Sequence, residues 1–192
     1  MYTRIFAVSL ALMMCASYAT AQEKKEPQKE LKIGDTAPDF AWPKPDRAEG
    51  STETVHLSDL KGKQNVLIAF YPKAFTPGCT KELCGYRDDF SKFKAADTEI
   101  VAVSVDQQAE SDRFREEKKM PFAVLGDPEH KVIDAYGIPL KDFSGNTYAQ
   151  RSVVLVDRDG KVRYINMNYE IGKDEKPLFE AMQKLSGSSE KT

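Results

Sequence analysis

The apolar positions of the chain fall into runs of two kinds. NVLIAFY (65–71) and EIVAVSVD (99–106) are nearly continuous, which predicts strands buried on both faces. Between them, residues 80–96 space Leu83, Tyr86, Phe90 and Phe93 at intervals of three, four and three. That spacing predicts a helix with one core-facing stripe. Residues 108–119 predict a second helix, heavily charged outside. FAVLGD predicts a short strand and residues 129–136 a short helix. RSVVLVDRDGKVRYINM (151–167) is two β runs joined at Asp157-Arg158-Asp159-Gly160, a hairpin signal. Residues 174–185 predict a closing helix. AWPKPDRAEGSTET (41–54) is rich in Pro, Gly and charge and predicts a surface loop, and SGSSEKT a frayed tail. There is no internal repeat. Strands alternating with helices, then a hairpin, predict an α/β sandwich with a mixed central sheet flanked by helices. The alternation does not choose among α/β folds.

With 192 residues, 41% of them hydrophobic, the chain can build one sizeable core. A net charge of −2 argues against nucleic acid or an anionic membrane as partner. No apolar run reaches the length of a membrane span. Residues 1–21 read as a secretory signal: Arg4 precedes an apolar stretch, and Ala19-Thr20-Ala21 is a small-x-small cleavage pattern. Residues 22–30 follow as a charged flexible tether, residues 31–186 as the folded domain and residues 187–192 as a disordered tail. The protein is therefore expected outside the cytoplasm, secreted or periplasmic. A lipid anchor at Cys15 is an alternative that bulky Met14 disfavours.

Of three cysteines, Cys15 would leave with the signal, so Cys79 and Cys84 remain. Disulfides persist in such a compartment, and a structural bridge is the plain expectation. Spacing opposes it. Cys79 follows the Pro77-Gly78 turn at the end of a buried strand and opens a helix. Cys84 falls about 140° round that helix, with the two Cα atoms roughly 8–9 Å apart. A disulfide needs less than about 7 Å, so the pair cannot join while the segment is regular helix. A thiol in a first helical turn also faces unpaired N–H groups and the positive end of the dipole. Both favour thiolate, the nucleophilic form.

The stretch from Pro72 to Cys79, PKAFTPGC, resembles the P-x-x-x-T-x-x-C signature of peroxiredoxins, and FYPKAFTPGCTKELCGYRD resembles their bacterioferritin-comigratory-protein (PrxQ) group. APDF, LSDLKGK, VSVD, LGDPEHKVIDAYGI and RSVVLVDRDGKV fall in family order, so the likeness covers most of residues 31–185. It implies a thioredoxin-like fold and a thiol peroxidase acting on hydrogen peroxide and organic hydroperoxides. By the same resemblance Cys79 is the peroxidatic nucleophile and Cys84 the resolving thiol, joined in an intramolecular disulfide after the helix unwinds. Thr76 would orient the peroxide, Arg151 would hold the thiolate and the charge on the peroxide oxygens, and Pro72 would shield the pocket. Glu82 is a further candidate, as ion-pair partner of Arg151. No metal or organic cofactor is implied. A thioredoxin-like dithiol protein would be the reductant, and the chain a monomer or weak homodimer.

Two features depart from the family pattern: the 41–54 loop is long, and Ser111 stands where many relatives carry His. His56 and His130 have no metal-ligand spacing to the cysteines and read as solvated. Asp157 and Asp159 read as turn residues. Two other functions compete. A secreted thiol–disulfide oxidoreductase would share the fold, but C-x-x-C is missing. A copper-binding module would need a histidine placed near the thiolates.

Overall fold

The computed structural model describes residues 30–46 and 51–187. The expected signal, nearly all of the tether and Cys15 lie outside the described residues, as do residues 188–192 of the expected tail.

Strand β3 (Asn65–Phe70) explains the architecture. Every residue in it is buried. Because side chains alternate across a strand, Leu67 and Ala69 enter one apolar cluster while Val66, Ile68 and Phe70 enter another. β3 therefore lies mid-sheet between two layers. It pairs in parallel with β4 (Thr98–Ser104), which pairs in parallel with β5 (Ala123–Gly126). On its other side β3 runs antiparallel to β8 (Ser152–Val156), and β8 antiparallel to β9 (Val162–Asn166). The order β5-β4-β3-β8-β9 is the mixed sheet that the alternation predicted.

One face is covered by α1 (Pro77–Asp88), α2 (Phe90–Ala95) and α5 (Glu175–Gly187), with Phe114 from α3 (Gln108–Glu117). The other carries α4 (Lys131–Ala135), through Ile133, and Trp42. The predicted stripe holds: Leu83, Tyr86 and Phe93 are buried, with Phe90 packed beside them. The predicted single helix over 80–96 is two, broken at Asp89, whose φ of −93° and ψ of 11° leave the helical region. It also starts earlier, at Pro77, where a proline costs nothing because a first-turn N–H has no partner. The β8–β9 hairpin turns at Asp157-Arg158-Asp159-Gly160 as predicted, with Gly160 at φ 73°.

The expected 41–54 surface loop is wrong at both ends. β1 (Ala41–Pro43) and β2 (Thr54–His56) form an antiparallel pair with Trp42 opposite Val55. Trp42 is 1% exposed and its ring lies tilted 5.1 Å from that of Phe40, so burial of one large side chain overrides the polar composition around it. A second hairpin, β6 (Leu140–Phe143) with β7 (Asn146–Ala149), was not predicted at all. It has mostly exposed positions and no alternation strong enough to read. Helix α5 also takes in Ser186 and Gly187, expected in the tail; the Ser186 hydroxyl donates to the Gln183 carbonyl at 2.9 Å.

Where β5 ends, Gly126 meets the chain leaving β4. A Cβ there would lie 2.5 Å from the Asp106 carbonyl oxygen and 2.7 Å from the Gln108 amide nitrogen, both backbone atoms. Gly126→Ala should therefore cost about 1–3 kcal/mol, read as a lower urea midpoint at unchanged slope.

Candidate active site

The parallel strands β3 and β4 end at one edge of the sheet, and ligands of open α/β sheets gather outside such edges. Tyr71 and Pro72 follow β3, and Asp106 closes the run after β4. The chain between β3 and α1, residues 71–76, must reverse direction in a few residues. It does so with Phe75 at φ 59°, an uncommon conformation for a bulky residue. The Phe75 ring lies 4.8 Å from Phe114, and the Arg113 guanidinium sits 4.7 Å from its centroid. Those contacts offset the strain.

A buried carboxylate ties this loop down. Asp106 Oδ2 accepts from the Ala74 amide at 2.7 Å and from the Ser104 hydroxyl at 2.8 Å, while Lys73 Nζ lies 3.6 Å from Oδ1. Thr76 then opens α1 with extended backbone. Its hydroxyl does not cap the helix but donates to the Lys73 carbonyl at 3.0 Å. The proton being committed there, the oxygen lone pairs are left to accept.

Cys79 is the third residue of α1 and only 1% exposed. The amides of Gly78 and Cys79 make no hydrogen bond to an acceptor among the described residues. Arg151 Nη2 lies 3.3 Å from Cys79 Sγ. Arg151 Nη1 is bonded to Glu82 Oε2, and Glu82 is buried. The remaining oxygen of Glu82 accepts from the Tyr86 hydroxyl at 3.3 Å. Burial, with the neighbouring Tyr169 adding, holds the Tyr86 phenol far above its usual pKa, so it stays a donor. Gly78 lies against the guanidinium: a Cβ there would stand in ordinary contact, 3.4 Å from Arg151 Nη2.

Cys79, Arg151 and Glu82 thus come together in one hydrogen-bonded chain. Pro72, Thr76 and Arg151 line one open cavity of about 480 Å³ beside it, whose far wall is the β6–β7 hairpin through Lys141, Phe143 and Tyr148. Cys84 stands on the same helix, partly exposed, and both thiols are free. His56 is exposed beside Asp39, and His130 starts α4; neither joins the site. A larger cavity of about 810 Å³ between α2 and α5 contains none of these residues.

The sequence reading missed three participants. Asp106 was legible as the acid that ends the apolar run EIVAVSVD. Tyr71 follows β3 and is fully buried. Burial pushes its phenol well up, with the charges of Asp106 and Cys79 adding and the Ser104 and Ser111 hydroxyls opposing. It therefore stays neutral behind Cys79. The hairpin wall had no sequence signal beyond its two loop residues, Ser144 and Gly145.

Similarity to known proteins agrees with this geometry. A profile described as the AhpC/TSA family matches residues 33–165. Peroxiredoxin Bcp of Bacillus subtilis (strain 168) is 40% identical over 164 residues, covering 84% of this chain and 99% of that protein. Peroxiredoxin Bcp of Escherichia coli (strain K12) is 40% identical over 138 residues, covering 70% of this chain and 85% of that one. Among solved structures, peroxidoxin BcpB from Mycobacterium tuberculosis superimposes with a TM-score of 0.70 at 26% identity, over 81% of this chain and 99% of that chain. The fold is thioredoxin-like.

If Asp106 sets the loop that carries Thr76, then Asp106→Ala should slow oxidation of Cys79 by hydrogen peroxide about 10- to 100-fold. It should cost about 1–3 kcal/mol of stability. Asp106→Asn, which keeps an acceptor for Ala74, should lose far less. Stopped-flow consumption of hydrogen peroxide and urea melts measure the two effects.

Proposed function

The chain belongs to the AhpC/TSA family and is a peroxiredoxin, a thiol-dependent peroxidase, and from that premise we propose that Cys79 is its peroxidatic thiol and Cys84 its resolving thiol. The observation that carries the reading is the guanidinium of Arg151, 3.3 Å from Cys79 Sγ and held from behind by Glu82. A guanidinium fixed beside the sulfur stands where negative charge gathers as the reaction proceeds.

The thiolate attacks the terminal oxygen of a hydroperoxide. An S–O bond forms, the O–O bond breaks, and the electron pair leaves with the distal oxygen, which takes a proton to become water or an alcohol. Sulfur is oxidised to sulfenic acid by two electrons. Charge grows on the oxygens as the bond breaks, and Arg151 is already aimed there. Such preset donors are worth most where water is excluded. Thr76 accepts from the hydroperoxide O–H, its own proton being engaged with Lys73. Pro72 walls the cavity against solvent.

The Cys84 thiol then displaces hydroxide from the Cys79 sulfenic acid, giving a disulfide and water. With both cysteines in regular α1 that bond is out of reach, so the helix must open first. Gly78 and Gly85 bracket the pair, and an interior glycine weakens a helix by about 1 kcal/mol. Leu83 and Tyr86 must leave the core at the same time, which sets the opposing cost. A dithiol protein of thioredoxin type then reduces the disulfide. With residues 1–21 read as a secretory signal, that partner would act in the same extracytoplasmic compartment.

Reduced protein should consume hydrogen peroxide far faster than free cysteine does, and Cys79→Ser should abolish this. Cys84→Ser should leave a Cys79 sulfenic acid that a dimedone probe traps, with turnover lost after one equivalent. Rates matching free cysteine, or a sulfenic acid found on Cys84, would overturn the assignment.

A further inference from the structure

We propose that Arg87 serves the second chemical step as Arg151 serves the first: it stays fixed beside Cys84 while the start of α1 opens, and it meets the negative charge that passes from the Cys84 sulfur to the departing oxygen. This rests on the reading of Cys84 as the resolving thiol and deepens it. Glu82 lies between the two cysteines in the chain. Opening that stretch therefore carries off the carboxylate that fixes Arg151. The step that follows needs a cation held by something else.

Arg87 comes three residues after Cys84 on α1, the spacing that sets two side chains next to each other on one helix face. Its pKa is raised above the usual arginine value by the Asp88 hydrogen bond first and by the charge of Cys84 as well, against burial. Its anchor lies outside α1. Nη1 donates to the Lys118 carbonyl at 2.8 Å, at the C-terminal end of α3. Carbonyls there lack helical partners and the helix dipole is negative. Nε and Nη2 reach Asp88 Oδ1 at 2.9 and 2.8 Å. Asp88 is 68% exposed, and a surface pair of that kind holds weakly. The bond to α3 uses none of the hydrogen-bond ladder of α1, so it persists when residues 79–84 unwind. Downstream, Phe93 of α2 is buried in the core. The chain after Cys84 is thus held at two points while the chain before it opens, and Cys79 is the thiol that travels.

The chemistry explains what a cation does there. The Cys84 thiolate attacks the Cys79 sulfur. The S–S bond forms, the S–O bond breaks, and the oxygen departs with that bond's electron pair. It takes up a proton, balancing the one Cys84 released, and leaves as water. No further oxidant is consumed. Negative charge begins on one side of the sulfur pair and ends on the other, beside one fixed guanidinium. A charge already in place lowers such a barrier without reorganising.

Single turnover of the full reduced protein separates the steps. Consumption of hydrogen peroxide times the first, and loss of dimedone-trappable sulfenic acid times the second. Arg87→Gln should slow the second step about three- to tenfold, between the worth of an exposed ion pair and that of an enclosed donor, while the first changes by less. The sulfenic acid then lingers, so sulfinic acid on Cys79 should accumulate faster at high peroxide, read by mass spectrometry. Arg87→Lys keeps the charge and should recover most of the lost rate. An unchanged second step in Arg87→Gln, equal slowing of both steps, or no recovery with lysine would overturn the inference. Absence of a Cys79–Cys84 disulfide in peptide maps of the oxidised wild-type protein would instead remove the reading on which it rests.

Discussion

A carboxylate in a protein core must find a cation or lose its charge, and Glu82 finds Arg151. Glu82 is 3% exposed and fixed from its other side by Tyr86. That leaves the guanidinium one way to point its remaining nitrogen, toward Cys79 Sγ. A long, flexible side chain is thereby held in one pose before any substrate arrives. One cation then serves two acidic groups, of which Glu82 is permanent and Cys79 is consumed by reaction. The buried ion pair is better understood as a positioning device than as a source of stability, since such pairs roughly repay their own desolvation.

The loop ahead of Cys79 follows the same logic with a second buried acid. Asp106 takes the Ala74 amide and the Ser104 hydroxyl on one oxygen, so the end of β4 dictates where the loop after β3 can go. Phe75 accepts an uncommon φ within it because Phe114 and Arg113 grip its ring. Gly126 allows the three chain segments to converge there. Two carboxylates from different elements thus fix the two sides of one sulfur. On the proposed mechanism, α1 is in conflict with itself: wound, it presents Cys79 to Arg151; opened, it lets Cys84 approach. Leu83 and Tyr86 favour the first state, and the bracketing glycines ease passage to the second.

The legible parts of the chain were those whose information is local. β3 and β4 could be read because a strand buried on both faces leaves no polar position to confuse the pattern. The α1–α2 stripe could be read because its helical spacing survives the break at Asp89. Trp42 could not, because a lone tryptophan between prolines and charges has no period, and only the cover it finds on the sheet makes β1 and β2 a pair. The β6–β7 hairpin was hidden for the opposite reason: its exposed and half-buried positions do not alternate, and Ala149 alone is fully buried, so burial never wrote a period into it.

The same division runs through the site. A cysteine opening a helix after a Thr-Pro-Gly turn, with a second thiol at a spacing that helix geometry forbids to bridge, was determined by sequence alone, since first-turn dipoles and helical pitch depend on nothing distant. Resemblance to a family then singled out Arg151, 72 residues away in the chain. Glu82 was already a candidate partner for it, and the tertiary structure pairs the two; only that structure decided that Asp106 would anchor the loop and that Lys141 and Phe143 would face the mouth of the pocket. Each of those depends on which strand lies beside which, and strand pairing is settled by the packing of the whole sheet rather than by any segment of it.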